Sequence, residues 1–580
     1  MTQTPPPSSS NKLFIRSEVL AAIAFLSALE EPSKQDKAKQ SKRLQGIDDQ
    51  TTVQRILLKE LQRSGGGHHL RVITEMLMEL GDIEIVQEPL WGLIQAVTTS
   101  DEIKDAANLI LRQLGDETDP NLYLEYLDDP SGLITRETER MLEVSTRNPE
   151  ALIDFIDFIF SLPPDEQCNL IRSLQSDYPA EYLLNIFLPS LLASPPPSVQ
   201  ELLLLTLGEL RAGKTALFLH ENEDYFQHDP RLLKAWKKSV SALKIAGFYR
   251  EERFDEFRHD LAQRHALTTQ STLYQCFATI PDGIGNQGII ISRERENGDI
   301  VMMSVAVNDL HGIIDCFGFY ELSRPDFHKL IDKFHEESSK IHAPKEYCLH
   351  KLLQAEALNR RSRFRIPYEY TCWKVLLDDV IKVDSTTVIP EFPDLILKCQ
   401  EWAKTEWDQA SANLYHHPDF SMWFLEEGDH PVVTSTMDEV LTVCARALAQ
   451  AEDSKSEEDL SLLEEGFEQA LDELSEILMH RLLATEWRGI LAARLADAAY
   501  LLQEQKAFTF SALAATEVGK LLHYNNETSP PLDGFIQHYG RRCIEEDLLR
   551  LRQGTQKEIG PWNREIFERL VDHVMTTWEL

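Results

Sequence analysis

What the chain lacks narrows it first. It has 8 cysteines in 580 residues, at Cys168, Cys276, Cys316, Cys348, Cys372, Cys399, Cys444 and Cys543, with no CxxC pair and no close cluster. In a chain this long that spacing excludes a disulfide framework or a compact structural zinc site, and predicts reduced, packed thiols in a cytosol. Long apolar runs are missing: a stretch such as 202–207 falls far short of the ~20 residues that span a bilayer. The N-terminus has no basic flank leading into an apolar segment. Residues 1–12, rich in Pro, Ser and Thr, are expected to be a disordered tail and not a signal peptide. Positive charge is scarce. With 58 Lys plus Arg against 95 Asp plus Glu, the formal charge is −37, so a nucleic-acid backbone meets a repulsive mean field unless a local basic patch overrides it. A cytoplasmic protein without a membrane segment, a nucleic-acid partner or a bound cofactor is the expectation.

What is present is a helical rhythm. Leu80-Gly81-Asp82 and Leu114-Gly115-Asp116 repeat one ending 34 residues apart (80 to 114), each after a run that is apolar at helical spacing. Between 103 and 114 the apolar residues Ile103, Ala106, Ala107, Ile110, Leu111 and Leu114 fall at offsets of three and four, which places them on one stripe. Asp101 is expected to cap that helix and Gly115 to end it. Pro89 is expected to open the preceding helix, which carries Leu90, Leu93, Ile94 and Val97. An amphipathic helix at 13–29 and a charged linker at 34–43 come before this region, and helices at 152–160, 167–174 and 180–192 follow it.

The endings at Leu80, Leu114 and Leu207-Gly208-Glu209 resemble those of HEAT repeats, a family of α-solenoids. The resemblance covers roughly residues 50–225, and 120–149 departs from it. It implies a curved scaffold of helix pairs that binds other proteins along one face, with no catalytic residue.

The period changes near residue 272. Short β-branched or apolar runs at 274–280, 288–295, 300–307 and 312–320, with Asn297-Gly298 between the second and third, predict a small antiparallel sheet. Helices at 325–335 and 344–359 complete an α+β module at 270–380, joined to the repeats by connecting helices at 226–269. From 381 to 580 the pattern is helical again, with helices expected at 393–407, 437–449, 457–480, 483–503, 507–522 and 543–552. Alanines such as Ala492, Ala496, Ala499 and Ala515 would let these approach closely. The predicted fold is therefore mainly α, with a HEAT-like solenoid, a central α+β module and a C-terminal helical domain.

Two nucleotide-binding patterns match by letters. Gly208-Glu209-Leu210-Arg211-Ala212-Gly213-Lys214-Thr215 fits GxxxxGK[ST], where amides wrap phosphate, Lys neutralises it and the hydroxyl holds magnesium. That loop needs a preceding strand, whereas 198–207 has a helix's length and Glu209 would oppose phosphate, so an inter-helix turn is the better reading of Gly208, Gly213, Lys214 and Thr215. Gly283-Ile284-Gly285-Asn286-Gln287-Gly288 fits GxGxxG, yet Ile289-Ile290-Ile291 after it reads as a strand and not a helix. His311, Asp315 and Cys316 suggest a thiol with its base, but along a strand Asp315 and Cys316 face opposite ways. His416, His417, Asp419, Glu426 and His430 have no compact ligand spacing, so they read as loop residues around Trp423 and no metal is assigned. The candidate ligand site is Arg360, Arg361, Arg363, Arg365 and Tyr368, where guanidinium and ring alternate with Phe364 and Tyr370. Its simpler reading is that these arginines neutralise carboxylates of the chain itself, such as Glu356 and Glu369.

Together these features predict a scaffold or adaptor that recognises protein partners through an extended groove with a few apolar or arginine anchors. A nucleotide-dependent enzyme or switch using 208–215 is the first alternative. An RNA or anion binder using 360–365 is the second.

Overall fold

A computed structural model describes residues 9–578 apart from 30, 120–121, 194, 228, 255–270, 338–339, 363, 378–393, 404–407, 454–455, 524–533 and 555–563. Most of the expected tail, residues 1–8, lies outside the described residues, and helix begins at Ser9. A run of consecutive helices fills the N-terminal half, compatible with a helical-repeat solenoid.

The run contains two cores. In the first, α1 (Ser9–Ser27), α2 (Lys34–Gln45), α3 (Gln50–Arg63), α4 (Gly67–Leu80), α5 (Ile83–Gln95) and α6 (Asp101–Gln113) close around Val19, Leu57, Ile73, Leu77, Ile94 and Ile110. In the second, α7 (Pro130–Ser145), α8 (Pro149–Ser161), α9 (Pro164–Asp177), α10 (Ala180–Leu192), α11 (Pro197–Glu209), α12 (Gly213–Glu221), α13 (Glu223–Gln227) and α14 (Pro230–Ile245) close around Leu142, Ile156, Leu183, Leu203, Leu219 and Leu243. Within 120–149, where the repeat pattern lapses, residues 122–129 connect the first core to α7 and the second, while 120–121 lie outside the described residues. Five helices of the second group begin with proline, whose missing N–H is no loss in a first turn.

Three local expectations are corrected here. Residues 34–43 are not a linker but most of α2. Ser33 caps it by accepting the Asp36 N–H at 3.0 Å, and Leu44 is buried, so tertiary packing supplies what its polar composition does not. Pro89 lies inside α5, which starts at Ile83 under the cap of Asp82 (3.0 Å to the Glu84 N–H), and Val97 falls beyond the helix and is exposed. Asp101 is the first residue of α6 and not its cap. Its carboxylate instead accepts the Asp128 and Asp129 N–H groups at 2.9 and 2.8 Å, tying α6 to the bridge.

The sheet is antiparallel, in the order β4-β3-β2-β1-β5, from β1 (Ser271–Thr279), β2 (Asn286–Arg295), β3 (Ile300–Asn308), β4 (Gly312–Leu322) and β5 (Lys340–His342). The Asn297-Gly298 hairpin forms with Gly298 at φ 85°. β5 was not expected, since three residues carry no periodicity. Of the two sheet faces, one packs Phe277, Ile290 and Met302 on α15 (Arg324–Glu337) through Phe327 and Ile331. The other packs Ile289, Met303 and Cys316 on α16 (Lys345–Arg361) and α17 (Tyr368–Trp373). The core on this face continues without a break into α18 (Leu395–Trp402), α19 (Pro431–Asp453), α20 (Glu457–Leu483), α21 (Trp487–Glu504), α22 (Phe508–His523), α23 (Gly534–Gly554) and α24 (Arg564–Trp578). The small residues bring α21 and α22 close enough for Ser511 Oγ to donate to the Ala499 carbonyl at 2.8 Å. The tail of the expected helix at 393–407, residues 404–407, lies outside the described residues. The last helix, α24, was missed although Phe567, Leu570, Val571 and Val574 repeat at helical spacing.

The N-terminal run meets the sheet at the β2–β3 turn. Asp299, almost wholly buried, accepts the Lys34 N–H with both oxygens at 3.1 and 3.0 Å, across 265 residues. Burial, with the neighbouring Glu321 carboxylate, pushes the Asp299 carboxyl up to about 6, against the pull of the Lys34 amide and Arg295. The folded state thus takes up a proton near pH 6 that the unfolded chain takes up only near its usual carboxylate value. Through this group, stability should rise as pH falls from about 6 to about 4, and the gain should be lost as pH rises through 6. Urea unfolding of wild type and Asp299→Asn across that range checks it: the difference between them must move toward wild type on acidification.

Candidate functional site at the arginine cleft

The predicted arginine segment runs from the last turn of α16 into α17, and the fold separates its members. Arg360 reaches back to Glu356 at 3.3 Å. Lys374 Nζ approaches the same carboxylate at 2.7 Å, and the Tyr370 hydroxyl donates to it at 2.6 Å. Glu356 is buried, which opposes its charge, yet Lys374 and Arg360 hold its carboxyl below the usual range. Arg361 is exposed and makes no ion pair among the described residues. Arg363 lies outside the described residues. Arg365 lays its guanidinium 5.7 Å from the centre of the Tyr225 ring, and the Tyr225 hydroxyl accepts the Ile366 N–H at 2.8 Å. Tyr368 turns away and donates to Asp157 on α8.

Arg360 and Arg365 therefore form one wall of a cleft of about 410 Å³, and Glu221, Asp224 and Tyr225 from α12 and α13 form the other. Facing charges of both signs suit a group with an anionic and a donor end, such as a peptide, better than a polyanion, which the two carboxylates would repel. The acidic wall was not legible in the sequence. Some 140 residues separate it from the arginines (225 to 365), and nothing local marks Glu221 or Asp224.

The Gly208 to Thr215 segment has helix on both sides. Gly208 sits in α11, where a Cβ would come within 2.7 Å of the Ser239 Cα on α14, so glycine lets these helices touch. Arg211 turns the chain at φ 50°, Lys214 Nζ donates to Asn185 Oδ1 at 2.7 Å, and Thr215 is fully buried. Gly208→Ala is expected to lower stability by about 1–3 kcal/mol through overpacking, read as a lower thermal midpoint. A stability equal to wild type would show that α11 and α14 do not need the contact.

Gly283 to Gly288 is a loop entering β2. Gly285 has φ 89°, and a Cβ there would meet Asp309 Oδ1 and Arg494 Nη2 at 2.1 and 2.5 Å. Arg494 from α21 donates to the Gly283 and Ile284 carbonyls and pairs with Asp309, and the Tyr539 hydroxyl donates to Gly283 O at 3.0 Å. Its glycines thus serve the docking of the C-terminal helices onto the sheet.

On β4, Asp315 is exposed and accepts the Cys316 N–H at 2.9 Å, while Cys316 is buried on the opposite face and burial raises its thiol pKa. His417 caps a short helix by accepting the Asp419 N–H at 3.3 Å, and His430 accepts the Val432 N–H at 3.2 Å. Trp423 is buried against the Phe420 and Phe535 rings. Among the described residues no three His, Cys, Asp or Glu side chains form a metal-binding group, and no helix is long and apolar enough to cross a membrane. All eight cysteines are free thiols, seven of them buried. Compared with known proteins, the chain matches no family model, no curated sequence and no solved structure.

Proposed function

We propose that this chain is a cytoplasmic scaffold or adaptor that binds protein partners along a HEAT-like helical surface. One observation carries the reading: successive helices from Ser9 to Ile245 bury their apolar stripes in two cores, so the run offers a long succession of helix outer faces and turns. Surfaces of this kind are wide and shallow, and recognition there rests on a few anchors rather than on area. The mixed charge of the arginine cleft supports the same reading, since it suits a peptide segment. Cross-linking mass spectrometry on complexes purified from the native cell tests the proposal. Cross-links to partner chains should concentrate on residues 50–245. A chain that purifies without partners, or that binds ATP or GTP tightly in a Lys214-dependent manner, would overturn it.

A further inference from the structure

The last helix of the run is unlike the rest of this acidic chain. α14 carries five cations and no carboxylate in its 16 residues. Its buried stripe is Leu232, Ala235, Trp236, Ser239, Val240 and Leu243, which packs on α11 and α12. Spacing at 3.6 residues per turn puts Arg231, Lys234, Lys237, Lys238 and Lys244 on the opposite half, and all five are exposed. Lys244 lies 4.8 Å from the centre of the Tyr249 ring, and none of the five makes an ion pair among the described residues. At the end of this comb stand two exposed apolar side chains, Ile245 at 89% and Phe248 at 38%.

An unpaired row of like charges repels itself, so a chain with so many carboxylates would lower its energy by bringing some of them here. Among the described residues it does not. The cations make no ion pair there and lie on a face whose other side is fixed in the core, which leaves them available to a partner. The row spans about 21 Å at 1.5 Å per residue, while Asp229 precedes it and Glu251 and Glu252 follow it. Screening limits each charge to a reach of about 8 Å. A narrow ligand confined to the row therefore meets cations only, whereas a membrane or a long duplex would also face the rest of a chain with net charge −37. We infer that α14 is a docking surface for an acidic peptide segment, helical over about four turns, with an apolar residue at one end to cover Ile245 and Phe248. This inference rests on the scaffold reading and gives the partner its chemistry.

The test uses the full chain and a fluorescein-labelled 14-residue peptide of glutamates with two leucines at one end. Binding is expected to saturate and to weaken about tenfold between low and physiological salt. The triple change Lys234→Glu, Lys237→Glu and Lys238→Glu should weaken it by about tenfold or more, with thermal midpoint unchanged because these exposed side chains make no hydrogen bond or ion pair among the described residues. The neutral set with glutamine should lie between, and Ile245→Ser should weaken binding severalfold. Binding that ignores the lysine changes overturns the inference, as does tighter lysine-dependent binding to vesicles of equal phosphatidylserine and phosphatidylcholine, or to a short DNA duplex. If the peptide fails while cellular complexes persist in the triple variant, the α14 assignment alone falls. If no complexes form at all, the scaffold reading falls with it.

Discussion

Arg494→Ala is expected to destabilise the protein by about 3–5 kcal/mol. The side chain is only 2% exposed and makes four hydrogen bonds from its guanidinium in one place. Nε and Nη2 hold Asp309 at 2.6 and 2.7 Å, Nη2 also reaches the Ile284 carbonyl at 3.1 Å, Nη1 reaches Gly283, and the plane lies 4.6 Å from the centre of the Trp487 ring. Truncation takes the donor from the Asp309 carboxylate and the Ile284 carbonyl at the junction between the sheet and α21, while Gly283 O keeps the Tyr539 hydroxyl, and that is worse than never having had the pair. Lysine at this position keeps the charge and loses the fork, so it should recover less than half of the loss. Equilibrium urea unfolding measures both, and a double-mutant cycle with Asp309→Ala should show coupling above about 1 kcal/mol. Additive effects of the two changes would mean that Arg494 works through the Gly283 and Ile284 carbonyls and its packing on Trp487, not through Asp309.

Asn359→Ala should cost about 2–4 kcal/mol by stranding buried backbone groups at the edge of the sheet. The Asn359 side chain acts there as a substitute strand. Its Oδ1 accepts the Ile313 N–H at 2.7 Å, and its Nδ2 faces the His311, Ile313 and Phe364 carbonyls at 3.1, 3.2 and 3.3 Å. Close approach to Oδ1 also requires Gly312, at φ 87°, to lack a Cβ. Edge strands need such covering, since open N–H and C=O groups recruit other chains. Asn359→Asp keeps the acceptor and sets a carboxylate against three carbonyls, so it should be no better than alanine. A lower urea midpoint in both variants, with increased hydrogen exchange along β4, is the expected outcome. Wild-type stability for Asn359→Asp would show that only the Ile313 N–H matters.

The candidate cleft shows how far local pattern reaches. The Arg360 to Tyr368 segment was legible because cations and rings alternate within nine residues, and its simpler reading found Glu356 because that carboxylate is one helical turn from Arg360. Nothing local could say that Tyr368 would turn to Asp157, or that α12 and α13 would supply Glu221, Asp224 and Tyr225 as the facing wall. The stripe on α14 was, by contrast, open to inspection in sequence: five cations and no carboxylate in one amphipathic helix need only the 3.6 period to become a face.

Periodicity alone determined the existence and type of most elements, from the stripe of α6 to the Asn297-Gly298 hairpin, because each depends on side chains a few residues apart and on the backbone needs of glycine, proline and the capping residues. Tertiary structure alone decided that the polar segment after Ser33 would be helix, that Pro89 would sit inside one, that three residues at Lys340 would complete a sheet, and that the helical run would split into two cores. It also placed Arg494 on a loop 210 residues away in the chain. Those outcomes depend on groups that meet only after the chain has folded, and the free energy of such contacts leaves no trace in local spacing.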